Sequence, residues 1–398
     1  MKKNWQKVLA CILVIIMVMG NLAACSKTSD SSGNKDEKDS KMKVAIVCSS
    51  AGQNDNGYNQ SAVEGAKKAA KEFGIEYKVV EPTTGVPQAL ESLAEDGYSI
   101  IFNLEYDFEA LIKGTGGAKP IAEAYPNTTF ICMNDNPNQD ENGKTLHKNV
   151  ISVLFDVHES SFVAGALTAL VIENADVLFD QASYQFTKAD AGGRSIGFIG
   201  GTNSNGITVF SFGYLEGINY IAEKLGVSYD YYAKYDAGFT DSSTGGTVAG
   251  TYYNQGANVV FAVAGSVGDG VTAKAKEVKK LAIQVDANKD DQQPGYILTS
   301  VIKNTEVPVY EIVKQAVAGK LAEMDAVQNY DLASGATSIT DLAVIEKHIA
   351  DSGKTKWEEI KKEVAEAQSQ IASGKIKVTN AQKGEEFKAE KCPNVVIK

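Results

Sequence analysis

Lys43-Val-Ala-Ile-Val-Cys48 runs into Ser49-Ser-Ala-Gly-Gln-Asn-Asp-Asn-Gly-Tyr-Asn-Gln60, and a helix-like stretch continues from Gln60 to Phe73. A strand covered on both faces shows no polar alternation, so an apolar run, a polar loop and a helix read as the opening of a parallel sheet. The unit recurs, with strands expected at 76–81, 99–104, 128–133 and 149–155 and helices at 86–96 and 107–124. After Asp156 a second series predicts helices at 159–173, 207–225, 240–255 and 268–279 and strands at 195–200, 228–236, 258–263 and 281–285. The class is therefore α/β, with two successive doubly wound parallel-sheet lobes. Residues 308–319 and 355–372 read as further helices, Gly374 to Val378 as a short terminal strand or extended segment, and 173–193 as a surface insertion that fits neither period.

The N-terminus places the body. Lys2, Lys3 and Lys7 precede an apolar run from Val8 to Gly20, which closes on Leu22-Ala23-Ala24-Cys25. That order describes a secretory signal, and the run is shorter than the roughly 20 apolar residues of a membrane span. Leu-Ala-Ala-Cys resembles the bacterial lipobox. The resemblance implies removal of 1–24, lipid on Cys25 and a cell-membrane location on the extracytoplasmic face; an ordinary secretory signal is the alternative. Ser26 to Ser40 holds no large apolar side chain, and residues 25–41 read as lipidated cysteine and flexible tether.

Removing 1–24 takes three lysines and no acid, leaving 36 basic against 50 acidic side chains and a formal charge of −14. Nucleic acid and anionic membrane surfaces would be repelled. Cys48, Cys132 and Cys392 form no disulfide framework or metal spacing, and the first two sit in apolar, strand-like runs as small core residues. No metal or cofactor is expected.

In open α/β sheets ligands bind beyond the carboxyl ends of the strands. After the first strand stand Asn54, Asp55, Asn56, Tyr58 and Asn59, which serve equally well as a helix cap or as binding groups. Asn134, Asp135 and Asn136 follow Met133. Phe210 reads as a ligand stack or as core, with core commoner at a helix start. Val263-Ala-Gly-Ser-Val-Gly-Asp-Gly270 is a glycine-rich turn able to offer backbone N–H groups. Asp286 ends Ala282-Ile-Gln-Val-Asp286, and Lys303 stands in the apolar Leu298-Thr-Ser-Val-Ile-Lys303, where a buried ammonium needs a partner.

Taken in order, the 54–60 loop with Ser-Ala-Val-Glu-Gly65, the AGSVGDGV turn, the IQVDAN strand end, the PGYILTSVIKN segment and Gln370–Val378 resemble the basic membrane protein family of substrate-binding lipoproteins. The likeness runs from Val44 to Val378. It implies a type I periplasmic-binding-protein fold, two lobes joined by crossing hinge strands, and a purine nucleoside handed to an ABC importer permease by a monomeric receptor. On that fold lobe I is expected at 42–156 plus about 287–328 and lobe II at 157–286 plus about 329–398, with hinges near Asp156–Val157, near Asp286–Ala287 and after Gln328. By matching motif, Tyr58 and Phe210 would clamp the base. Asp55 and Asn59, with Asn54 in the same loop and Asp135 nearby, would meet its polar edge. Asp286, Lys303 and backbone at Gly265 would hold the ribose hydroxyls. Tyr58 stands where many relatives carry Phe.

Two other readings compete. A secreted nucleoside-processing enzyme needs a base or a metal, yet His147, His158 and His348 lie outside the strand-end motifs and no GxSxG or P-loop occurs. A receptor for a sugar or another signal would bind without the aromatic clamp.

Overall fold

The computed structural model describes residues 41–398; the signal, Cys25 and the tether lie outside the described residues. Two sheets carry the architecture. Strands β1 (Lys43–Val47), β2 (Glu76–Val80), β3 (Ile100–Asn103), β4 (Thr129–Met133) and β5 (Val150–Phe155) build the first. β6 (Ser195–Gly200), β7 (Tyr229–Lys234), β8 (Val259–Val263), β9 (Leu281–Asp286) and β10 (Ile297–Lys303) build the second. β11 (Val327–Tyr330) returns to the first sheet, and β12 (Thr337–Ile339) and β13 (Val395–Ile397) complete the second. The orders are β11-β5-β4-β3-β1-β2 and β12-β10-β9-β8-β6-β7-β13. All pairings are parallel except β10 with β12.

The longer helices are α1 (Tyr58–Phe73), α2 (Val86–Glu95), α3 (Val157–Glu173), α4 (Asn205–Leu225), α5 (Ser242–Asn254), α6 (Val267–Glu277), α7 (Glu306–Val317) and α8 (Lys354–Ala372). Most strand residues are buried, as their apolar runs require. α3 is buried on nearly every face and lies against α4. Glycines permit that approach. A Cβ at Gly213 would lie 2.1 Å from the His158 carbonyl oxygen, and one at Gly217 would lie 2.0 Å from that of Phe162.

The division into lobes differs from the expected one. β10 pairs with β9 and β12, so 297–303 belongs to the second sheet, and β11 pairs with β5 in the first. The chain therefore crosses at Asp156, at Asn304 and between Asp331 and Ala336; it does not cross at Asp286–Ala287. β9 and β10 are parallel neighbours joined by only a short 3-10 turn (Asp290–Gln292), so the helix that normally marks such a step is missing from the sequence pattern. The crossings are bonded together: Asp156 N–H donates to the Tyr330 carbonyl and Asn304 N–H to that of Ala336, both at 2.8 Å.

Two smaller expectations are corrected. The 107–124 helix is two single turns, Glu109–Ile112 and Ile121–Ala124, parted by Gly114, Gly116 and Gly117 at positive φ. Gly374–Val378 is irregular, and the terminal strand is β13, pairing with β7. Residues 173–193 lie mostly at the surface, held by two aromatic anchors. Phe179 and Tyr184 are buried there, and the Tyr184 hydroxyl donates to the Gly295 carbonyl at 2.7 Å.

Cys48, Cys132 and Cys392 are buried free thiols. Burial pushes the Cys48 thiol up to about 12, with Glu81 and Asp55 adding, so it stays protonated. Among the described residues no helix is long and apolar enough to cross a membrane.

Candidate ligand cleft

The carboxyl ends of the two sheets meet around a cavity of about 560 Å³, counted with its mouth. From the first sheet come Ser49, Ser50, Asp55 and Tyr58 after β1, and Glu105 and Tyr106 after β3. The second supplies Ile207 from α4, Phe239 after β7, Gly265 after β8, Asp286 at the end of β9 and Lys303 at the end of β10. The walls touch: a Cβ at Gly57 would lie 3.4 Å from Asp286 Cβ and 3.6 Å from Lys289 Nζ. The cleft is closed.

Lys303 and Asp286 form its charged floor. Lys303 Nζ lies 3.3 Å from Asp286 Oδ1; the lysine is buried and the aspartate side chain only 12 % exposed. The contact is close enough for an ion pair yet not aligned as a hydrogen bond, so Asp286 Oδ1 is buried without a hydrogen-bond partner. Asp286 also holds a left-handed backbone, φ 74, a conformation that costs free energy and concentrates at ligand clamps. The Lys303 ammonium stands 4.7 Å from the centre of the Tyr58 ring and 5.3 Å from that of Phe210, a cation–π arrangement. The Tyr58 hydroxyl is likewise buried without a partner. Burial, with Tyr106 and Asp286 adding, raises its ionisation well above the usual range, so it remains a neutral phenol able to donate.

Asp55 is both cap and wall. Its carboxylate accepts from the N–H groups of Gly57, Asn59 and Gln60, each at 3.0 Å, which satisfies the open end of α1. Asn59 is fully buried and spends its amide on Ser49 and Asp55. It shapes the loop and does not line the cavity. Asn54 and Asp135 are exposed and also stand outside the lining; the Asp135 carboxylate accepts from the Asn136 N–H at 2.7 Å.

Phe210 is 0 % exposed and packs edge-on against Phe261 at 6.3 Å. It is core beneath Lys303, not a free stacking wall. Gly265 does line the cavity, with φ 52, but the neighbouring N–H groups are spent: Ser266 donates to Phe239, Val267 to Ala264 and Gly268 to Gly265. Of the residues expected from the sequence, Asp55, Tyr58, Gly265, Asp286 and Lys303 line this cavity, and Asn54, Asn59, Asp135 and Phe210 stand outside its lining.

Missed were Ser49, Ser50, Glu105, Tyr106 and Phe239. The strand-end rule reaches Glu105 and Tyr106 once applied to β3. Phe239 lies five residues beyond β7, past any strand-end window. The Ser50 N–H donates to Glu105 at 2.8 Å, and the Tyr106 hydroxyl takes the Asn134 amide. Asp55 and Glu105 join Asp286 in the lining, so three carboxylates stand around the single Lys303 ammonium, an acidic lining that disfavours anions.

Residues 41–371 match the Bmp family, described as ABC transporter substrate-binding protein PnrA-like. The chain belongs to this family. It is a substrate-binding protein that takes a small ligand for an ABC transporter, and not an enzyme. A relative in Lactococcus lactis, the ABC transporter nucleoside-binding protein BmpA, is 28 % identical over 94 % of this chain and 99 % of its own. An uncharacterised lipoprotein of Pyrococcus furiosus is 27 % identical, covering 77 % of this chain and 70 % of its own length. Basic membrane protein A1 of Borrelia garinii is 27 % identical over 63 % and 65 %. Among solved structures, an ABC transporter solute-binding protein of Aeropyrum pernix superposes with a TM-score of 0.68 at 22 % identity, covering 85 % of this chain and 93 % of that one. A sugar transporter protein of Clostridium phytofermentans gives 0.51 at 17 %, covering 75 % and 98 %. Both likenesses establish the two-lobed α/β fold.

Proposed function

We propose that this cleft receives a nucleoside, purine in preference, and that the receptor is anchored by lipid on Cys25 on the outer face of the cell membrane. The carrying observation is the Asp286–Lys303 pair beneath Tyr58, with Asp286 Oδ1 and the Tyr58 hydroxyl buried and unpartnered. A vicinal diol answers both needs, since one hydroxyl can donate to the Asp286 carboxylate and the other accept from the Tyr58 phenol, and bonds to a charged group are the strong ones. Tyr58, Tyr106 and Phe239 offer aromatic surface, and stacking contributes on the order of 1–3 kcal/mol per base. The acidic lining favours a nucleoside over a nucleotide. The name of the Lactococcus relative points the same way, and the Pyrococcus relative, named a lipoprotein, supports the anchor read from Leu-Ala-Ala-Cys25.

A thermal-shift screen against nucleosides, bases, nucleotides and sugars tests the ligand. Ligand at a hundred times its Kd adds about 2.7 kcal/mol of stability, so a nucleoside should raise the melting temperature and its monophosphate should not. A shift with sugars alone would replace the nucleoside by a sugar. For the anchor, labelled palmitate should enter the wild-type chain and not Cys25→Ala; equal labelling would remove Cys25 from the account.

A further inference from the structure

The family match ends at residue 371, so the segment beyond α8 is read from its own contacts. A short turn at 381–383 packs on α4 of the second lobe. Asn380 caps it, accepting from the Gln382 N–H at 3.0 Å, and donates to Asp156 at the first crossing at 2.9 Å. The Thr379 N–H donates to Glu216 of α4 at 3.1 Å. These bonds seat Gln382 on the second lobe. Its side chain reaches the first: Nε2 donates to the Asn134 carbonyl at 2.9 Å and to Asn134 Oδ1 at 3.2 Å. Asn134 follows β4 in a left-handed conformation, φ 67, is 1 % exposed, and donates its own amide to the Tyr106 hydroxyl at the cavity wall. Gly206 of α4 closes on the same pair, where a Cβ would lie 3.0 Å from Asn134 Nδ2 and 3.1 Å from the Tyr106 hydroxyl.

We propose that Gln382 is a positioning residue for ligand retention, holding Tyr106 against the cavity through Asn134 while tying the two lobes together. The physical basis is the direction of the chain. By donating to Oδ1, Gln382 orients the Asn134 amide so that its nitrogen faces Tyr106; without it the amide is free to rotate. Because the bond spans the lobes, it exists only when they are closed. Its loss therefore speeds opening and release and leaves encounter unchanged, the usual partition of interface changes into dissociation.

The nucleoside reading enters only through the probe. Stopped-flow binding of adenosine to the wild-type chain, Gln382→Leu, Tyr106→Phe and the double variant reads the kinetics. Hydrogen exchange of the unliganded proteins reads the relay without ligand. Gln382→Leu should raise the dissociation rate about 5- to 10-fold, the loss of one to two hydrogen bonds, with the association rate within about twofold. The double variant should dissociate no faster than the faster single variant, because both act on one chain of contacts. Exchange should quicken in peptides covering 105–107 and 134–136 and stay unchanged across Gly213–Gly217 in α4. Multiplied effects in the double variant, or unchanged exchange at 105–107 and 134–136, would overturn the relay. A lowered melting temperature with an unchanged dissociation rate would reduce Gln382 to a structural tie. If adenosine fails to bind the wild-type chain, the nucleoside reading falls and the exchange arm alone decides.

Discussion

Asp286 and Phe210 look alike in the sequence, each an isolated candidate beside a strand or helix end, and the fold gives them opposite fates. Asp286 reaches the cavity with an unpartnered oxygen, and Phe210 is sealed against Phe261. Asp286→Asn should weaken nucleoside binding about 10- to 100-fold by calorimetric titration, the cost of a charge-assisted bond, with little loss of stability. Phe210→Ala should do the reverse, losing about 3–5 kcal/mol in urea unfolding as a core cavity opens. Phe239→Ala should reduce affinity and spare stability. If Phe210→Ala folded with wild-type stability and lost binding, the stacking role would return to it. The sequence made Asp55, Tyr58, Gly265, Asp286 and Lys303 legible because each follows or ends a strand. It could not show that Asn59 is consumed inside its own loop, since a cap and a ligand contact use the same side chain.

At the scale of elements, the α3–α4 contact depends on glycines whose hydrogens face backbone. Gly213→Ala would set a Cβ 2.1 Å from the His158 carbonyl oxygen, and backbone cannot swing aside as a side-chain tip does. A loss of about 1–3 kcal/mol is expected in urea unfolding, typical of overpacking. His158 itself gives a pH dependence. Burial, with Lys383 adding, pushes its value from 6.5 down to about 4. The unfolded chain therefore takes up the proton first, so this stability is complete above pH 6.5 and is lost as the pH falls toward 4. The loss is on the order of 3 kcal/mol. Asp156, raised mainly by burial, contributes in the opposite sense. Unfolding at pH 7 and 4.5 should show the acid loss in the wild type and a reduced loss in His158→Gln; equal slopes would exclude His158 as the source. Strand periodicity was legible for β1 to β5 of the first sheet but not for β11, a four-residue edge strand. It failed at 107–124, where three glycines and Pro120 break a helix-like composition, and at β13, a three-residue edge strand too short to carry a period.

Across the whole molecule, two lobes and three crossings follow from one topological fact: β10 stays in the second sheet and β11 returns to the first. The expected crossing at Asp286–Ala287 treated the end of β9 as the end of a lobe. In the structure Asp286 and Lys303 end adjacent parallel strands, and that adjacency places a carboxylate and an ammonium side by side at one wall. The central claim is that this pair grips a nucleoside between closing lobes. Isothermal titration of adenosine into the wild-type chain and Asp286→Asn, beside adenosine monophosphate and ribose, tests it most directly. The account predicts saturable micromolar or tighter binding of adenosine to the wild type, a marked loss in Asp286→Asn and no heat from the monophosphate. Adenosine binding of equal strength in the two chains, or binding of ribose and the monophosphate but not adenosine, would contradict it.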